Sequence, residues 1–211
     1  MPSKSRRKNP KSESRAKSPV KLPAGGAKPV KIAQPKPQKS KPKANAGTGP
    51  RREPAGPSEG QKAPDFRVTR DGGTHVALAD FTGKNLVIFF YPRADTPGCT
   101  LEALDFTRLA TSFAKHNTKI LGVSADPQKA QERFRDKHRL SIPLGADEQM
   151  TMLNAYGAWG EKSMYGKKFM GVLRTTVLID ARGLIAKIWR SVKVAGHADD
   201  ALFAVKTLIK S

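Results

Sequence analysis

Sulfur chemistry is almost absent from this chain: Cys99 is the only cysteine in 211 residues. That excludes an internal disulfide framework and a cysteine-rich metal site. A lone thiol suits a reducing compartment, so a cytoplasmic protein is expected, with nucleoid or nucleus as further addresses. Long apolar runs are missing too. No stretch approaches the ~20 residues that span a bilayer, and no apolar signal-peptide core is visible near the N-terminus, so no membrane partner is expected. Acidic residues are scarce, 18 against 39 Lys and Arg, giving a formal charge of +21. Neither a P-loop nor a G-x-G-x-x-G pattern is present, which leaves nucleotide cofactors without support. His75, His116, His138 and His197 show no metal-ligand spacing, so no cofactor and no metal is expected.

The shortages are unevenly spread. Residues 1–63 contain no Phe, Trp or Tyr, yet hold eleven of the 16 prolines. They also carry 17 of the 39 basic residues against three acids, Glu13, Glu53 and Glu59. So little apolar surface cannot offset the entropy of ordering the chain. Residues 1–62 are therefore expected to be a disordered basic tail, and 63–211 a single domain. Lys and Pro interleave, as in Pro35-Lys36-Pro37-Gln38-Lys39, which favours extended polyproline II. Lysines on such a chain can follow nucleic-acid phosphates without reading sequence. A tail that only solubilises or spaces the domain has the same composition. Lys4-Ser5-Arg6-Arg7-Lys8 also fits a nuclear import signal.

Within the domain, Phe66–Thr69 and His75–Leu78 flank Arg70-Asp71-Gly72-Gly73 and predict a β-hairpin. Leu86-Val87-Ile88-Phe89-Phe90 is a continuous apolar run, as expected of a central strand covered on both faces. Ile120–Val123 predicts a second buried strand, and Asp126-Pro127 a helix cap with proline at the first helical position, opening a helix over 127–138. Thr176–Ile179 predicts a third strand, paired as a hairpin with Leu184–Trp189. Leu202, Phe203, Val205, Leu208 and Ile209 recur at helical spacing. Trp159, Met164, Tyr165 and Met170 lie in a glycine-interrupted stretch, 156–171, read as a loop held by plain packing, with a loop lining the site or a reductant-docking surface as the alternatives. Strands alternating with helices indicate an α/β fold with an antiparallel edge, in which chemistry sits beyond the carboxyl ends of the strands.

The strand ending at Phe90 runs into Tyr91-Pro92-Arg93-Ala94-Asp95-Thr96-Pro97-Gly98-Cys99-Thr100. Pro92 ends the strand, Thr96 suits an N-cap, and Pro97 suits the first position of a helix reaching about Ala114. Cys99 then falls in the first helical turn, where unpaired N–H groups and the positive end of the dipole favour a thiolate. The Thr96 hydroxyl could donate to the sulfur or to a bound oxygen. The helical wheel also puts Cys99 in phase with Phe106, Ala110 and Phe113, which fits an inert core cysteine. Position decides for reactivity, because the residue opens the helix just after a strand end. Glu102, one turn further, could orient the loop or Arg174, or simply favour the helix N-terminus.

The segment Phe89–Ala103 resembles the active-site segment of peroxiredoxins. Pro92, Thr96 and Cys99 complete the Pro-x-x-x-Thr-x-x-Cys signature, and Thr96-Pro97-Gly98-Cys99-Thr100 resembles the bacterioferritin comigratory protein, or peroxiredoxin Q, branch. The likeness runs from about Ala63 to the C-terminus, including Gly171–Asp180 and the region around His197. It implies a thioredoxin-like fold, with a mixed central sheet flanked by helices. It also implies a peroxidatic Cys99, hydroperoxide substrates, Pro92 and Gly98 lining the peroxide, and Arg174 as the active-site arginine. Many members carry a resolving cysteine five residues after the peroxidatic one. Leu104 stands there in this chain, so an intramolecular disulfide is impossible. The expectation is a one-cysteine cycle in which an external thiol (thioredoxin, glutaredoxin or a small molecule) reduces a sulfenic acid on Cys99. A monomer is expected. Thr96 replaces the first sulfur of a thioredoxin C-x-x-C, which rules out a dithiol oxidoreductase. The competing expectation is a polyanion-binding protein whose thioredoxin-like domain is catalytically silent.

Overall fold

The computed structural model describes residues 56–208, except Tyr165. All but the last few residues of the expected tail, and its proposed contact with polyanions, therefore lie outside the described residues. The elements are β1 (Arg67–Arg70), β2 (His75–Ala77), a 3-10 turn (Leu78–Phe81), β3 (Asn85–Phe90), α1 (Pro97–Lys115), β4 (Thr118–Ser124) and α2 (Gln128–His138). There follow β5 (Leu144–Ala146), α3 (Thr151–Ala155), β6 (Trp159–Met164), β7 (Lys167–Val172), β8 (Thr175–Ile179), β9 (Ile185–Trp189) and α4 (His197–Leu208).

Seven strands form one sheet in the order β2-β1-β5-β4-β3-β8-β9, while β6 and β7 pair apart from it. β3 lies inside it next to the central β4, parallel to β4 and antiparallel to β8, with Phe90 opposite Val123 on one side and Thr175 on the other. β4 and β5 are parallel, whereas β1, β2, β8 and β9 are added antiparallel. Antiparallel pairing thus occurs on both sides of a three-strand parallel core, not at one edge alone. Every residue of β3 is buried. Its pleat sends Val87 and Phe89 into one apolar cluster, with Phe106 and Phe113 of α1, Phe134 of α2, and Leu202 and Val205 of α4. Leu86, Ile88 and Phe90 enter the cluster on the other face, with Met152, Tyr156, Val172 and Ile185. An apolar run with helical or loop cover on both faces needs no polar alternation.

Gly122 on β4 shows how closely the layers meet. A methyl group there would come within 2.6 Å of the Phe89 ring. Its absence lets Phe89 lie over the strand and stack on Phe106 with ring centres 4.6 Å apart. That contact fastens α1, and with it the Cys99 turn, to the sheet. α1 stops where Asn117 takes a left-handed conformation, φ 49°, which asparagine tolerates better than most residues.

Two further sequence expectations change. Asp126 does not cap α2; the N-cap is Pro127. The Asp126 carboxylate is instead engaged by the Ala94 N–H at 2.7 Å and the Ser124 hydroxyl at 2.8 Å. The stretch 156–171, read as a packed loop, is largely a hairpin: β6 pairs with β7 from Trp159 opposite Val172 to Met164 opposite Lys167. Among the described residues, no helix is long and apolar enough to cross a membrane.

Candidate active site

The loop from Tyr91 to Thr96 is held at both ends. Burial pushes the Tyr91 phenol above its ordinary pKa, so it stays protonated and donates to the Gln131 amide oxygen. Gln131 donates onward to Ser124 at 2.7 Å, and Ser124 to Asp126. At the outer end, Asp95 takes a left-handed conformation, φ 58°. Lys137 and His138, at the end of α2, fix its carboxylate at 2.7 Å each. These hydrogen bonds, Lys137 first, hold the exposed Asp95 carboxyl below its ordinary value. The loop therefore delivers Thr96 and Pro97 to the start of α1 in one geometry.

Thr96 is the N-cap residue of α1 and Pro97 its first helical residue. The Thr96 side chain makes no capping bond; its hydroxyl donates to the Arg93 carbonyl at 3.0 Å. Its lone pairs remain available as acceptors, where donation to the sulfur or to a bound oxygen was expected. The Thr100 N–H bonds the Thr96 carbonyl at 2.8 Å. By helix geometry the Gly98 and Cys99 N–H groups precede this ladder and carry the positive end of the dipole.

Cys99 is 2 % exposed and belongs to the core cluster with Phe89, Tyr91 and Phe106. Its immediate predecessors, Pro97 and Gly98, are exposed, so the sulfur lies just under the surface. Its helical phase is thus that of a packed core residue, yet the sulfur has a charged neighbour. Arg174, in the short link between β7 and β8, donates from Nη2 to Cys99 Sγ at 3.2 Å. From Nη1 it bonds the Glu102 carboxylate. Burial works against the guanidinium charge, but Glu102 and the sulfur hold its pKa above the ordinary value. Glu102 is 1 % exposed, and burial pushes its carboxyl up to about 7 against the pull of Arg174. Its Oε1 has no hydrogen-bond partner. The guanidinium thus joins Cys99 and Glu102, with Glu102 anchoring the arginine, while Thr96 stands at the N-cap of the same helix with its hydroxyl turned to Arg93. A methyl group at Gly98 would lie 3.6 Å from Arg174 Nη2, so the glycine leaves space beside the guanidinium. Pro92 is half-buried at the bend after β3.

Two residues near the site have no specific role in the sequence reading: Lys162 is not singled out there, and His197 is read only as a surface or supporting residue in a family-like region. His197, at the start of α4, is buried, shares a 2.8 Å hydrogen bond with Thr176 Oγ1, and meets Phe106 and Trp189 edge-on. Burial pushes its imidazole down to about 4, with Arg174 adding to the effect and Asp200 opposing it. Lys162 on β6 donates to the Val172 carbonyl at 3.0 Å, two residues before Arg174. Neither sits in a local motif, so only the tertiary fold reveals them. Among the described residues, no group of three or more His, Cys, Asp or Glu is placed to hold a metal ion.

A model of the AhpC/TSA family matches residues 59–188. Peroxiredoxin Bcp of Bacillus subtilis is 43% identical over 149 residues, covering 71% of this chain and 95% of that protein. Peroxiredoxin Bcp of Xanthomonas campestris pv. campestris is 43% identical over 146 residues, 69% of this chain and 91% of its own length. A solved structure of Xanthomonas campestris peroxiredoxin Q superposes with a TM-score of 0.65 at 43% identity, over 67% of this chain and 90% of that one. A second structure, of the Xanthomonas campestris bacterioferritin comigratory protein and concerned with its alkyl peroxide reduction activity, gives 0.65 at 42% identity over the same shares. With its sulfur, threonine and arginine assembled at the start of a helix on a thioredoxin-like sheet, the chain belongs to the AhpC/TSA family, as a thiol-dependent peroxidase of the Bcp, or peroxiredoxin Q, type.

Proposed function

We propose that Cys99 is the peroxidatic residue of a one-cysteine cycle. The observation that supports this best is the 3.2 Å bond from Arg174 to Cys99 Sγ in a chain with no second cysteine. The thiolate is the nucleophile. Sγ attacks one oxygen of ROOH, the S–O bond forms as the O–O bond breaks, and RO⁻ leaves with the bonding pair. Protonation gives ROH, and the sulfur, oxidised by two electrons, becomes sulfenic acid. An external thiol then displaces water from the sulfenic acid to give a mixed disulfide. A second thiol releases Cys99 and departs as the disulfide.

Each neighbour has a task in this step. Arg174 has five N–H donors, so the bonds to Glu102 and Cys99 leave others for the peroxide oxygens as charge moves onto them. Thr96, its own proton engaged by Arg93, accepts the peroxide O–H and orients the molecule. Gly98 keeps room for the oxygen beside the guanidinium, and its N–H and that of Cys99 add donors. Pro92 sets the bend that brings the loop over the sulfur. With Leu104 in place of a resolving sulfur, slow reduction exposes the sulfenic acid to further oxidation to sulfinic acid. The reading of a catalytically silent, polyanion-binding domain has no observation in its favour.

The test is peroxide consumption with thioredoxin, glutaredoxin and a small thiol offered in turn, wild type against Cys99→Ser. Turnover with at least one thiol, lost in the variant, is expected. Equal rates for the two proteins would remove the assignment.

A further inference from the structure

Lys162 is a second cation on the hairpin that leads into Arg174, and no step above uses it. On β6 its cross-strand partner is Phe169, yet the ammonium does not end there. The side chain runs along β7 instead. Its Cδ crosses Gly171, where a methyl group would come within 3.2 Å, and Nζ reaches the Val172 carbonyl at 3.0 Å. Val172 lies three residues beyond Phe169 and two before Arg174, so the side chain carries its charge towards the arginine end of the hairpin.

This placement is electrostatically costly. Burial and the Arg174 guanidinium both depress the Lys162 ammonium, and the charge on Cys99 opposes them. Two half-buried cations are tolerated where an anion acts on both. The carboxylates at hand are engaged: Glu102 by Arg174, and Glu161 on the same hairpin by Lys168 at 2.9 Å. An ionised Cys99 is the charge that would favour the Lys162 ammonium.

We propose that Lys162 is a positioning residue for charge, held along β7 so that its ammonium raises the positive potential at Cys99 and speeds attack on anionic reagents there. The inference rests on Cys99 being the reacting thiol. It is tested in the full chain by alkylating Cys99 with iodoacetate, an anion, and with iodoacetamide, its neutral counterpart, and comparing the two rates. Lys162→Gln keeps a donor for the Val172 carbonyl but removes the charge. It should lower the iodoacetate-to-iodoacetamide rate ratio by about fivefold, the scale of one charge near a partly buried site. Lys162→Arg should restore most of the ratio, and 1 M salt should narrow the gap between wild type and Lys162→Gln. An unchanged ratio in Lys162→Gln, or Lys162→Arg behaving like Lys162→Gln, would overturn the proposal. Peroxide consumption by the wild type, measured alongside, keeps the two readings apart. A wild type that consumes no peroxide but shows the ratio change defeats the peroxidase cycle and supports the charge role.

Discussion

Glu102→Gln exchanges a carboxyl for a neutral amide of nearly the same shape at a position 1 % exposed. The wild-type carboxyl is pushed up from its ordinary 4.5 to about 7, chiefly by burial. Between these values the folded protein keeps a proton that the unfolded chain has released. The stability contributed by this group is therefore complete below about 4.5 and is lost as the pH rises through about 7. At about 1.4 kcal/mol per pH unit, the separation comes to about 3 kcal/mol. An amide stays neutral throughout. Glu102→Gln should then be more stable than wild type by about 3 kcal/mol at pH 8, or roughly 6–12 °C in Tm for a domain of this size. Near pH 4.5 the two proteins should match. Urea melts at both pH values measure this, and the variant-minus-wild-type difference cancels the other titrating groups. Activity should move the opposite way, by about tenfold, because Arg174 loses its carboxylate anchor. If the Arg174 attraction outweighed burial, the signs would reverse. A variant less stable than wild type at pH 8, or no more stable there than at pH 4.5, would refute the reasoning.

Three further outcomes follow from the same geometry. Arg174→Lys should lower peroxide consumption by about 10²–10³-fold, the scale of a lost preorganised donor, because an ammonium cannot bridge Glu102 and the sulfur as a planar fork does; steady-state rates check it. Phe106→Ala, which removes the ring stacked on Phe89, should cost about 3–5 kcal/mol in denaturant melts. His197, depressed from 6.5 to about 4, contributes stability that is present above 6.5 and lost as the pH falls through about 4. The loss is on the order of 3 kcal/mol, and a His197→Gln variant should show a shallower acid limb in thermal melts.

Much of the fold was legible because its signals are local. The Leu86–Phe90 run needed burial on both faces, and the Thr96-Pro97 pair marked the start of α1. The β6–β7 hairpin was not legible. β7 is exposed over Lys167–Phe169 and Met170, so no in-out alternation was imposed on it, and its glycines suggested a loop. Asp126 was misread because a good capping residue beside a proline looks the same whether its carboxylate serves its own helix or the distant Ala94 N–H. The sulfur, the threonine and the proline were visible as one segment. Arg174 stood 75 positions away and was reached by family resemblance, while Lys162 and the burial of Glu102 depended on packing that no short motif encodes.

Leu104, two-fifths exposed and five residues beyond Cys99, bears on how the molecule behaves during turnover. Residues five apart on a helix have Cα atoms about 8.6 Å apart, beyond the reach of a disulfide unless the helix opens. A protein with sulfur at both positions must melt that turn once per cycle. Here no bond draws the two together, and Phe106 can stay seated on Phe89 from one turnover to the next. The scaffold is free to be stiff, and catalysis should survive treatments that freeze backbone motion, such as crosslinking in a crystal, provided the reducing thiol can diffuse in.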